Sequence, residues 1–173
     1  MQISNRALAG IAAAALLLLA HQPASAQMFT GPQGLMRVHA YDGPRRPASQ
    51  LATVFAPYGS TAVGFKYMCK ADGKNYNQPF RPISTCPSVY YLLPGTHVVQ
   101  VAYRRAGLIG FKDVTVRAEA GRTYQVFVIQ EGRKAAFGIR AMPPGFALTY
   151  KDLNPSHFVT GNEPNSRVDP AAE

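Results

Sequence analysis

Tyr91-Leu92-Leu93-Pro94-Gly95-Thr96-His97-Val98-Val99-Gln100-Val101-Ala102-Tyr103, followed downstream by Ala118-Glu119-Ala120-Gly121-Arg122-Thr123-Tyr124 and the run to Ile129, decides the fold. Proline fixes φ at the Pro94 corner and glycine tolerates the positive φ that tight turns require, so Pro94-Gly95 and Ala120-Gly121 are chain reversals. Between them the hydrophobic period is two. Val99, Val101 and Tyr103 share one face, and Val98, Gln100, Ala102 and Arg104 the other; the first set is predicted to face the core. Val114, Val116 and Ala118 alternate with Asp113, Thr115 and Arg117, the pattern of a half-buried strand. From Tyr124 to Ile129 both faces are largely apolar, which predicts a central strand covered on both sides.

Working outward, the same punctuation recurs. Leu35 to Tyr41, Gln50 to Phe55 and Thr61 to Met68 read as strands, separated by the Pro-rich loop 42–47 and the turn at 57–60. Ala71-Asp72-Gly73-Lys74 carries Asp-Gly, a strong hairpin dipeptide. Glu131-Gly132-Arg133-Lys134 turns the chain into a returning strand, Ala135 to Ala141, and Phe146 to Tyr150 reads as a short edge strand after Pro143-Pro144-Gly145. Beyond Lys151 apolar residues thin out. The expectation is an all-β fold, a small antiparallel β-sandwich of about seven to nine strands with one disulfide and a disordered C-terminal tail. Its divisions are a signal peptide at 1–26, a lead-in with a possible first strand at 27–48, the sandwich at 49–150 and the polar tail at 151–173.

The leader rests on three features. Arg6 supplies a positive start, Ala7 to Ala20 is an uncharged apolar run, and Ala24-Ser25-Ala26 is a small-residue cleavage site. The apolar run is shorter than the roughly 20 residues of a membrane span. Cleavage after Ala26 would leave a soluble chain in the periplasm or outside the cell. About 147 of the 173 residues would remain, enough for one core.

Cys69 and Cys86 are the only two cysteines. In an exported chain they have one intramolecular pairing open to them, a bridge across the intervening loop. That loop is polar and lacks a core of its own. Either the bridge staples a long connection, or it presents a recognition loop whose candidate residues are Asn75, Tyr76, Asn77, Phe80 and Arg81.

The segments Leu93-Pro94-Gly95-Thr96-His97-Val98-Val99-Gln100-Val101 and Ala118-Glu119-Ala120-Gly121-Arg122-Thr123-Tyr124 resemble small β-sandwich domains of exported bacterial proteins, the PEGA-like domains among them. Ala52-Thr53-Val54-Phe55 and Lys70-Ala71-Asp72-Gly73 are similar to the strand and turn that precede this pattern there. The resemblance spans Gln50 to Ile129. The tetrapeptide that gives the PEGA family its name is missing, and Leu108 stands where an aromatic residue often follows the glycine. What the resemblance implies is a non-enzymatic β-domain at the cell envelope, with no binding residues to carry over.

Chemistry-bearing patterns are sparse. His39, His97 and His157 show no metal-ligand spacing, and no cofactor motif is present. No Gly-x-Ser-x-Gly elbow or pair of carboxylates supports hydrolysis. Pro94, Gly95, His97, Gly121 and Tyr124 read as structural turn residues, with Tyr124 as a corner tyrosine whose hydroxyl caps a backbone group. The charge, +9 with a pI near 9.8, is dispersed in pairs such as Arg104-Arg105. The nine tyrosines fall mostly at alternating strand positions, which argues for core rather than a nucleic-acid platform. The expected function is therefore an exported, non-catalytic envelope accessory protein that binds another envelope protein. The alternatives are a module for anionic envelope lipid or glycan, and a hydrolase whose site, with His97 or His157 beside an acid in a concave pocket, is assembled only in the fold.

Overall fold

The computed structural model describes residues 28–30, 36–57, 59, 64–76, 86–132, 134–153 and 167–168. These residues form an all-β sandwich. The strands are β1 (Met28–Thr30), β2 (Met36–His39), β3 (Ala52–Phe55), β4 (Phe65–Ala71), β5 (Lys74–Asn75), β6 (Val89–Leu92), β7 (Gly95–Arg105), β8 (Leu108–Ala118), β9 (Thr123–Glu131) and β10 (Lys134–Ala141), with one helical turn, α1 (Tyr150–Leu153). One sheet has the order β1-β2-β6-β3-β9-β10 and the other β5-β4-β7-β8. The four-stranded sheet is antiparallel throughout, whereas in the six-stranded sheet β2 runs parallel to β6 and β3 parallel to β9. Met28–Thr30, placed in the lead-in by sequence, pairs with β2.

The main core lies between the sheets and is built by the period-two pattern. Val99 and Val101 from β7 and Val116 and Ala118 from β8 meet Val54, Tyr90, Leu92, Tyr124 and Val126 from the facing sheet. One local device keeps this pattern in phase. Strict alternation along β4 would follow inward Met68 with outward Cys69 and inward Lys70. A β-bulge between Met68 and Lys70 resets the register against β7, so that Ala71, not Lys70, is buried. The Tyr90 hydroxyl crosses the core to donate to the carbonyl of Met68, 2.8 Å away, at this irregular point. Removing that donor leaves a buried carbonyl to find another partner. Tyr90→Phe is therefore expected to lower the unfolding free energy by about 1–3 kcal/mol. Denaturant titration checks this, and an unchanged midpoint would show that the bond carries no net stability.

Two expectations need correction. The strand covered on both sides is not Tyr124–Ile129. On the outer face of β9, Phe127 is only half-buried and Ile129 is 55% exposed. Double cover belongs to β6, whose four residues are all buried, and largely to its neighbour β3. Their outer face carries a second cluster, in which Leu51, Phe55, Val89 and Tyr91 pack against Leu148, Tyr150, Leu153 and Val168. Phe146–Tyr150 likewise forms no edge strand. The Thr149 N–H and hydroxyl donate to the Asp152 carboxylate at 2.8 and 2.6 Å, and the Asp152 N–H turns back to Thr149. This Thr-x-x-Asp capping box starts α1 and sends Leu153 into the core. Of the polar stretch 151–173, then, 151–153 and 167–168 are described. Val168 is buried and its N–H donates to the Leu148 carbonyl at 2.8 Å.

Candidate functional site

Cys69 and Cys86 form the disulfide, with Cα atoms 4.8 Å apart. Together with Tyr67 and Ala102 they make a small apolar cluster on the outer face of the four-stranded sheet. Of the candidate recognition residues, Asn77, Phe80 and Arg81 lie outside the described residues. Asn75 is exposed on β5. Tyr76 is not displayed on the surface of the loop: its ring is buried between the sheets against Tyr90 at 5.3 Å and its N–H bonds the Cys69 carbonyl.

The predicted turn residues converge on a second place. Asp72 and Gly73 take positive φ values of 49° and 78°, closing the β4–β5 hairpin. The tip then docks on β7. The Asp72 N–H donates to the Val98 carbonyl, Asp72 Oδ1 accepts from the Val98 N–H at 2.8 Å, and Oδ2 lies 2.6 Å from His97 Nδ1. His97 Nε2 lies 2.8 Å from the Leu93 carbonyl, across the Pro94-Gly95 corner. Gly121, at φ 70°, donates its N–H to the Leu51 carbonyl, and the Tyr124 hydroxyl accepts the Glu119 N–H at 3.0 Å. Asp72, His97, Gly121 and Tyr124 thus each join one stretch of backbone to another.

An acid beside a histidine in a concavity raises the question of catalysis. His97 and Asp72 border a cleft of about 270 Å³, with Asp42, Lys74 and Tyr76. A general base needs one ring nitrogen facing its substrate. Here both nitrogens of His97 are engaged by acceptor oxygens within the protein. Burial, and then the carboxylates of Asp42 and Asp72, push the Tyr76 phenol up to about 12, so it stays protonated at neutral pH. The Lys74 amine donates to Asp42 at 3.2 Å. The described groups of this cleft are bound to one another: His97 to Asp72 and to the Leu93 carbonyl, and Lys74 to Asp42. Among the described residues no group of three or more potential metal ligands occurs.

The remaining feature lies at the far end of the sandwich, and sequence reasoning missed it. β7 and β8 are joined by a two-residue turn in which Ala106 and Gly107 have φ values of 48° and 80°. Around this tip Leu108, Ile109 and Phe111 are each more than half exposed. On the facing hairpin, β9–β10, Ile129 is also exposed, on the outer face of the other sheet. Gln130 ties the two ends together: its Oε1 accepts from the Tyr103 hydroxyl at 2.8 Å and from Arg105 Nη1 at 2.9 Å, and its Nε2 donates to the Gly132 carbonyl. On the outer face the Arg104 guanidinium lies 5.7 Å from the centre of the Phe65 ring and opposite Ile109. The available signal was local. Apolar residues at 108, 109 and 111 occupy both faces of one strand end, which a half-buried strand has no reason to do.

Compared with known proteins, the chain matches no described family, no curated protein and no solved structure. No helix among the described residues is long and apolar enough to cross a membrane.

Proposed function

We propose that this is an exported, non-catalytic accessory protein of the cell envelope, and that it binds another envelope protein through the paired ends of the β7–β8 and β9–β10 hairpins. The observation that carries the reading is the gathering at the start of β8 of three of the five large apolar side chains exposed among the described residues: Leu108, Ile109 and Phe111. Exposed apolar clusters of this kind mark contact surfaces, and Gln130 holds the two hairpin ends as one unit. The apolar leader ending at Ala26, the disulfide and the resemblance to PEGA-like domains support an address outside the cytoplasm. The engaged His97 and Asp72 support a structural use of this acid–histidine pair.

Phe111 is the side chain to test, because it faces away from the core and its cross-strand neighbour is Ala102. Phe111→Lys is expected to change stability by no more than about 0.5 kcal/mol, as for other exposed positions. Co-purification of the envelope partner should be lost with it. Contact led by apolar area should also survive a rise in salt that screens exposed charges. A variant that keeps its partner, or a wild-type association that vanishes with salt, would contradict this docking surface.

A further inference from the structure

We propose that the mouth between the two sheets, under the β7–β8 and β9–β10 hairpin ends, is a binding site for a small amphiphilic anion: a carboxylate or phosphate ester carrying a short apolar chain. The site shares Leu108 and Ile109 with the docking surface proposed above, but its polar groups Arg105 and Gln130 stand in the inward register of β7 and β9, and Phe111 and Ile129 point away from it.

The mouth is a cleft of about 290 Å³, at the lower end of ordinary small-ligand pockets. It exists because Gly110 and Ala135 are too small to fill the space between the sheets. Leu108, Ile109 and Phe137 supply apolar walls. The cations are what a plain packing gap would lack. Arg105 follows Val99, Val101 and Tyr103 in the inward register of β7, and Lys134 stands at the rim. A half-buried guanidinium is normally matched by a carboxylate. Arg105 instead donates to the neutral Gln130 amide oxygen. Among the described residues no carboxylate forms an ion pair with Arg105 or Lys134. Glu131 stands opposite Lys134 in the β9–β10 ladder, and these two likewise form no ion pair. The Gln130 contact uses one of the five guanidinium donors, in a fork that suits two anionic oxygens. Cations at the rim and apolar walls behind them call for an anion with an apolar tail.

Calorimetric titration of the mature chain with monomeric decanoate and decyl phosphate, beside decanol and inorganic phosphate, tests the assignment. A saturable 1:1 isotherm is expected for either amphiphile, with decanol and inorganic phosphate weaker by about tenfold or more, since a charge-assisted hydrogen bond is worth about that factor. Arg105→Gln should weaken the amphiphile about tenfold, and Ala135→Leu should block the cleft with Arg105 intact; Arg117→Gln, exposed on the outer face of β8, is the control. Melting curves show whether each variant is folded. Several results would overturn the proposal: no isotherm with either amphiphile, equal binding of decanol or of inorganic phosphate, or unchanged affinity in folded Arg105→Gln and Ala135→Leu chains. Binding to phosphatidylglycerol vesicles without any binding of monomeric amphiphile would also overturn it, because that would be a membrane contact and not a cleft.

Discussion

Cleaving the Cys69–Cys86 bridge is expected to lower the unfolding free energy by about 3 kcal/mol, the figure for closing a loop of this length. The bridge links β4 to the segment leading into β6, and those strands belong to opposite sheets. Without it the unfolded chain gains the freedom of the whole connection, while the native state loses a covalent tie beside Tyr67 and Ala102. The double change Cys69→Ser, Cys86→Ser measures the loss without reductant. A midpoint shift corresponding to less than about 1 kcal/mol would show that sheet packing alone sets the geometry. Such a loss is a large share of a small domain's stability, so the chain is suited to an oxidising compartment.

The second large effect concerns the C-terminal cover. Leu153→Ala is expected to cost about 2–5 kcal/mol, as for other leucines truncated in a core. Leu153 is fully buried, in a cluster with Tyr91, Phe55 and Val168. The loss should come with easier opening of the segment Met142–Leu153, read as faster amide exchange at Leu51 and Val89, whose side chains it covers. A cost below 1 kcal/mol would place the cover outside the cooperative unit. Removing 162–173 is expected to destabilise more mildly, because it takes away Val168 and its bond to Leu148.

How much of this was legible follows from what alternation can report. A period of two shows which side chains share a face, so the inward set Val99, Val101 and Tyr103 and the turns at Asp72-Gly73 and Gly121 could be read directly. Alternation is silent about what lies over a face. That is why Tyr124–Ile129 looked doubly covered when the cover falls on β6, delivered by a segment more than fifty residues downstream. It is also blind to phase changes, and the bulge at Cys69 is one. The Thr149-x-x-Asp152 capping box was present in the sequence but lay within residues read as a strand. The parallel pairs β2–β6 and β3–β9 leave no local mark.

The candidate sites divided in the same way. Two cysteines have one intramolecular partner each, so the bridge followed from counting. The loop they close misled at Tyr76, whose burial depends on Tyr90 from another strand. The Asp72–His97 contact joins residues 25 apart and has no spacing to betray it. The Gln130 clasp on Tyr103 and Arg105 is likewise a product of two hairpins meeting. Such sites are written in tertiary pairing, which a single sequence does not display.

The most direct measurement is photo-cross-linking in the cell that makes the protein, with a photoreactive phenylalanine at position 111 and, in a parallel strain, at position 117 on the same face of β8. Docking at the hairpin ends is expected to give one discrete protein adduct from position 111, retained at high salt and weak or missing from position 117. No protein adduct from position 111, or the same adducts from both positions, would contradict it.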